Sequence, residues 1–219
     1  MCYTRGHPWD YDHWESLGNP GWGYKDVLPL FKRSEKQERG PDDFHGTDGE
    51  LSVSDMRLQR PICDAWVAAA QNAGYPFNPD YNGATQEGVG YFQLTTRNGR
   101  RCSSAVAFLN PARKRANLKI ITNAHVNRVK IEDGRATGVS YFDAAGTEHT
   151  VTCTREVVLS SGTIGSPQIL MLSGIGDPDH LKENGIEPLH ALPGVGKGLQ
   201  DHLQARLVFK CNEPTLNDE

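Results

Sequence analysis

The chain has 219 residues, 37% hydrophobic and 23% charged, with a formal net charge of -4, enough for one large domain or parts of two. The negative balance gives no electrostatic case for a nucleic-acid surface. No apolar run approaches the roughly 20 residues that span a bilayer, and the N-terminus lacks a signal peptide's apolar core; a cytoplasmic protein is expected, with peripheral membrane association left open.

The first fifty residues crowd Trp9, Trp14 and Trp22 among turn residues without a clear period. Side chains of that size need a surface to bury against, so Met1 reads as an internal position of a longer protein, and the three tryptophans are expected to stay exposed within these residues. Val27, Leu28, Leu30 and Phe31 predict a helix between Lys25 and Glu38, and Ile62, Ala65, Trp66, Ala69 and Ala70 predict an amphipathic one from Pro61 to Ala73. Residues 75–90 read as loop. A short helix is expected from Ser103 to Leu109, stopped by Asn110-Pro111. Leu118 to Thr122 reads as a strand. Val126 to Ile131 and Ala136 to Phe142 alternate apolar with polar residues around Asp133-Gly134, the signal of a hairpin, and Thr147 to Thr154 completes a small antiparallel meander. Glu156 to Ser161 is a continuous apolar run of the kind found in buried parallel strands. Ser166-Pro167 reads as the N-cap and first position of a helix that Gly174 closes.

The five cysteines are scattered without a C-x-x-C pair, which predicts reduced structural thiols rather than a disulfide framework or a zinc site. The eight histidines show no metal-binding spacing, although His7 and His13 lie near acidic residues; no metal is expected. Arg100 and Arg101 form a basic turn, either an anion grip or a solvated turn. Asp201-His202 are neighbours, and on a strand neighbours point to opposite faces, so they do not form an orienting dyad there.

Two glycine-containing stretches bear on chemistry. The run 156–162, followed by a helix start, is physically a phosphate or nucleotide cradle: glycines permit close backbone approach and a helix N-terminus offers free N–H groups. Alone, the unit is also what an ordinary crossover in an α/β sheet looks like. Pro193 to Leu199 fits neither G-x-G-x-x-G, because position 199 is leucine, nor the P-loop, because glycine follows Lys197. It reads as a connecting turn.

The order of these motifs resembles one family. Gly162-Thr163-Ile164-Gly165-Ser166-Pro167-Gln168 through Gly176 is similar, over fifteen consecutive positions, to the second signature of the glucose–methanol–choline (GMC) oxidoreductases. Met1 to Gly6 with Asp10 to Trp14 resembles the tail of the first signature, and Asn98 to Ser104 and Pro193 to His202 resemble other family segments. The resemblance covers essentially the whole chain and is nearest the choline-dehydrogenase-like branch.

It implies a mixed α/β (α+β) fold: part of a Rossmann-like FAD-binding domain with a β-meander, plus part of a substrate domain made of a sheet covered by helices. The implied organisation is an FAD-proximal segment over 1–51, substrate-domain parts over 52–115 and 188–219, and an FAD-domain part over 116–187. The implied cofactor is FAD. The Met1 and Cys2 backbone matches the segment beside the flavin ring, Val126 the valine whose main chain meets the adenine edge, and Ser160 to Gly162 the strand end near the adenosine and pyrophosphate. The implied substrate is a small alcohol, and the electron acceptor oxygen or a quinone-type carrier. Ser161 and Thr163 replace the family's frequent alanines, and Gly198 its frequent asparagine. No strand followed by G-x-G-x-x-G occurs, none of the eight histidines matches the family's catalytic one, and so no catalytic residue is nominated. The chain alone is expected neither to hold FAD tightly nor to oxidise an alcohol. The competing expectation is a non-catalytic nucleotide-binding or structural module. An NAD-dependent Rossmann enzyme is disfavoured by the missing fingerprint.

Overall fold

The computed structural model describes residues 1–201, 203–205 and 207–215; His202 lies outside them, and with it the Asp201-His202 pair. Helices and strands mix throughout, and the chain divides into two compact units, Met1–Leu118 with Val208–Glu219 and Lys119–Leu207.

The first unit opens with an extended segment. The Tyr3 amide donates to the Gln93 carbonyl (2.8 Å) and the Thr95 amide to the Met1 carbonyl (3.0 Å), while Leu94 is bridged on one side to Cys2 and on the other to Ser54. Helix α1 (Pro8–Ser16) follows. It has the chemistry of a helix start: His7 Nδ1 accepts from the Trp9 amide, Asp10 returns the bond to the His7 amide, and proline stands in the first turn. Its aromatics do not form one stripe, which hid the helix from a periodicity reading. Only Tyr11 is buried, edge-on to Phe31; Trp9, Trp14 and Trp22 remain 63%, 45% and 54% exposed, as expected.

Helix α2 (Tyr24–Ser34) ends four residues short of the expected Glu38, because the chain turns into strand β1 (Glu35–Gln37). β1 pairs in parallel with β2 (Leu51–Val53). Helix α3 (Pro61–Asn72) lies where the periodicity put it, although none of its residues is fully buried. Strands β3 (Thr96–Arg97) and β4 (Arg100–Arg101) form a hairpin whose turn, Asn98-Gly99, has positive φ at both residues. A π-helical turn (Ala105–Leu109) continues into helix α4 (Asn110–Ala112). Pro111 therefore does not stop the helix, which runs on through it to Ala112.

The second unit carries the meander: β5 (His125–Glu132), β6 (Arg135–Phe142) and β7 (Glu148–Thr152), antiparallel in that order. Asp133 (φ 50°) and Gly134 (φ 74°) make the two-residue turn. A register shift between Val126 and Arg128 bulges β5 at its start. Helix α5 (Gly162–Leu172) packs against β5 and is followed by β8 (Ile175–Gly176), α6 (Pro178–Glu183) and β9 (His190–Ala191), with β8 and β9 parallel. The stretch 193–198 is a connecting turn followed by no helix among the described residues, and Lys197 reaches Asp177 at 2.7 Å.

Three further expected elements differ. Residues 118–122 form no strand; the apolar pattern there is too short to hold one without a ladder partner. Residues 156–161 are extended but pair with no strand among the described residues, and Val158 is 75% exposed. A buried parallel strand needs neighbours on both edges. Ser166-Pro167 lies inside α5 rather than at its start: Ser161 is the N-cap, and Ser166 Oγ reaches back to accept the Ser161 amide (3.1 Å).

Candidate cofactor-binding site

In the second unit, Val126 and Ser161 line one cleft of about 350 Å³, together with Val151, Val157, Val158 and Ile169. The walls are mostly apolar. At the rim the chain turns through Gly162, whose φ of +81° no L side chain adopts easily and whose missing Cβ would meet nothing within 4 Å. The Ser161 side chain makes no capping bond, so the first-turn amides of α5 are left to another acceptor. Ser160 is exposed and stands in an unpaired segment rather than at a strand end. The valine brought to the cleft is paired with Tyr141 and lies beside the bulge in β5, where the register shifts before Arg128. A larger hollow of about 500 Å³, lined by Val129, Ile131, Leu159 and Leu170, also borders segment 157–159.

Behind this cleft Ser173 ties helix to sheet. Its buried hydroxyl accepts from the Val129 amide (2.8 Å) and donates to the Ile169 carbonyl (2.6 Å). Nothing in the apolar patterning flags it; the only signal is a serine at a helix end four residues after Ile169.

In the first unit, Met1 and Cys2 have exposed side chains on the segment paired to residues 93–95. The segment is gripped from several directions. Asn82 Oδ1 accepts the Arg5 amide (2.8 Å), Asn82 Nδ2 donates to the Tyr3 carbonyl (2.9 Å), and Gln86 Nε2 donates to the Arg5 carbonyl (3.0 Å). Tyr11 Oη accepts the Gly6 amide at 2.9 Å, an approach that a Cβ on Gly6 would obstruct.

Under that segment lies a buried set of charges that sequence reasoning missed. The Arg5 guanidinium donates to Glu35 Oε2 (2.7 Å) and to the Phe44 carbonyl (2.8 Å), and lies over the Phe31 ring. His45 Nδ1 meets Glu35 Oε2 at 3.0 Å and its Nε2 meets Asp80 Oδ2 at 2.9 Å. Burial works to lower the His45 pKa, but the hydrogen bonds to Asp80 and Glu35 outweigh it and push the value up to about 9. Burial likewise works to raise Asp80, and the His45 hydrogen bond overrides it to hold that carboxyl below its ordinary range. Asp42, His45 and Asp80 come close enough to suggest a metal site. With both ring nitrogens donating to carboxylates, however, His45 has no lone pair to offer a cation.

Among the other nominated groups, Arg101 reaches the first place, its Nε lying 2.8 Å from Met1 Sδ. His7 caps α1 and His13 stacks on Trp9; Arg100 and Arg101 are exposed. All five cysteines are unpaired.

Over residues 1–204 the chain matches the family model described as GMC oxidoreductase. The chain belongs to the GMC oxidoreductase family. The matched domain is that family's FAD-binding domain, and the family's members are flavin-dependent oxidoreductases. Among its relatives are an alcohol dehydrogenase [acceptor] of Pseudomonas putida, 47% identical over 98% of this chain and 39% of the relative, and an oxygen-dependent choline dehydrogenase of Yersinia pseudotuberculosis, 48% identical over 98% and 38%. Among solved structures, an FAD-dependent oxidoreductase from Chaetomium thermophilum superposes with a TM-score of 0.85 at 32% identity, covering 92% of this chain and 37% of that one. The GMC chain described here thus spans about two fifths of the length of these relatives.

Proposed function

We propose that this GMC chain serves an FAD-dependent oxidation of a small alcohol, choline-like in class, in which its second unit holds the adenosine side of the cofactor and its first unit presents Met1 and Cys2 beside the flavin ring. The observation that carries the reading is the cleft shared by Val126 and Ser161, with the open glycine turn at Gly162 and an uncapped helix start at its rim. The main chain at Val126 would meet the adenine edge, and the amides after Ser160 and Ser161 would face the adenosine and pyrophosphate. The apolar walls would exclude water from the ring. FAD, when bound, accepts the hydride that an alcohol oxidation releases, and the protein supplies orientation and electrostatics. Oxygen or a quinone-type carrier would then take the electrons. No helix among the described residues is long and apolar enough to cross a membrane, and a cytoplasmic setting is the reading that goes with the composition.

The test is to produce the chain alone and joined to whatever its reading frame encodes on either side, add FAD, remove the free cofactor, and record the flavin spectrum and alcohol-dependent dye reduction. The longer protein is expected to keep flavin and reduce dye with choline or a simple alcohol, and the 219-residue chain to do neither. A longer protein that keeps flavin yet reduces no dye with any alcohol overturns the activity. If the 219-residue chain proves to be all that the frame encodes, the module reading replaces this one.

A further inference from the structure

The charges beneath Met1–Gly6 are more than a salt bridge. With the His45 ring protonated, two cations, Arg5 and His45, alternate with two anions, Glu35 and the half-buried Asp80, so the group is neutral as a whole. Arg5 and Glu35 are 6% and 0% exposed, and His45 is 2% exposed. Taking such groups out of water is costly, and one partner left alone is worse than none. What the arrangement secures is geometry. Glu35 fixes the Arg5 side chain. Asp80 fixes the loop whose Asn82 holds the Tyr3 carbonyl and the Arg5 amide, because Asp80 Oδ1 accepts the Asn82 amide at 3.0 Å. His45 touches both carboxylates. Its own position is set by Asp42, whose Oδ1 accepts the Phe44 and His45 amides at 2.7 Å each.

We propose that His45 is a positioning residue for the Met1–Gly6 segment: as a doubly protonated ring it clamps Glu35 against Arg5 and Asp80 against the Asn82 loop, and loss of one ring proton releases the segment. That the segment faces a flavin rests on the function proposed above; the clamp does not depend on it.

The other charged groups around the ring do not replace its role. Asp42 spends an oxygen on backbone amides. Arg39 is committed to Asp55 (2.7 Å) and to the Pro79 carbonyl. Lys32 donates to the Asp42 and Asp43 carbonyls. Gln37 and Gln93, which complete the wall, are neutral and bonded to each other (2.8 Å). A raised pKa means that the clamp's contribution is complete below the ordinary histidine value of 6.5 and is lost as pH rises through about 9.

The test uses isotope-labelled full chain without cofactor. Nuclear magnetic resonance of the His45 ring should show both nitrogens protonated at neutral pH. Amide-exchange protection at Tyr3 and Arg5, corrected for intrinsic rates, should fall at least about tenfold between about pH 7 and about pH 10. The Ala107 amide, bonded to the Ser103 carbonyl at 2.8 Å, should keep its protection. In His45→Asn the two amides should already be poorly protected at neutral pH and insensitive to further alkali. A neutral His45 ring at pH 7, an unchanged profile, or an equal fall at Ala107 overturns the proposal. The wild-type profile decides even if the variant does not fold. FAD plays no part in the readout, so a failure of cofactor binding leaves the clamp standing, and a failure of the clamp leaves the cofactor reading standing.

Discussion

The two compact units solve the problem of an interior in opposite ways. The first, around Arg5, Glu35, Gln37, His45, Asn78, Asn82 and Gln93, buries polar groups and satisfies them with one another. Its buried hydrocarbon is limited to side chains such as Tyr11, Val53 and Ala107. The second buries a few apolar side chains, Val129, Ile169 and Leu181, and leaves Ile164 and, beside an open hollow, Val158 largely in solvent. A polar interior is specific in geometry but intolerant of losing one member; an open apolar interior is tolerant but unfinished until something fills it. That difference matches the roles proposed for them, a rigid mount for one segment and a receptive wall for a ring.

The comparison can be broken first at Glu35. Glu35→Ala leaves Arg5 and His45 buried without their shared anion, and the first unit should lose about 3–5 kcal/mol in urea denaturation followed at its own tryptophans. A loss under about 1 kcal/mol would mean that the charges are spectators. The second unit is expected to lose less from its buried serine. Ser173→Ala strands the buried Val129 amide and should cost about 1–3 kcal/mol, read as reduced protection of β5 amides with β7 unchanged. At the other extreme, Val158→Asn should alter the chain's own stability by less than about 0.5 kcal/mol, because the side chain is mostly exposed. A large loss there would show that segment 156–160 is already docked.

The parts legible in the sequence were those governed by local chemistry. The Asp133-Gly134 turn with alternating flanks specifies the β5–β6 hairpin by itself, and the three- and four-residue spacing after Pro61 specifies α3. The Gly162 turn and its valine partner were legible only through likeness to a family signature, because a glycine turn before a helix is common to many sheets. The remainder was hidden for physical reasons. Strand β1 reads Glu-Lys-Gln, with its two inward residues polar and buried, so no hydrophobic pattern points to it. The His45 clamp joins residues up to 75 positions apart in sequence, Arg5 to Asp80 (80 − 5), through charge rather than apolar contact. The run 156–161 carries the pattern of a buried strand whose ladder partners the described residues do not include.

The central claim is that the cleft of the second unit receives the adenosine end of FAD. The direct measurement is a titration of the isotope-labelled chain with ADP and then FAD, following backbone amide shifts residue by residue. The account predicts weak, saturable binding at about millimolar concentration, with the amides of Val126 and of Ser160 to Gly162 moving together and those of α3 still. Saturable shifts elsewhere while Val126 and Gly162 stay fixed would contradict it.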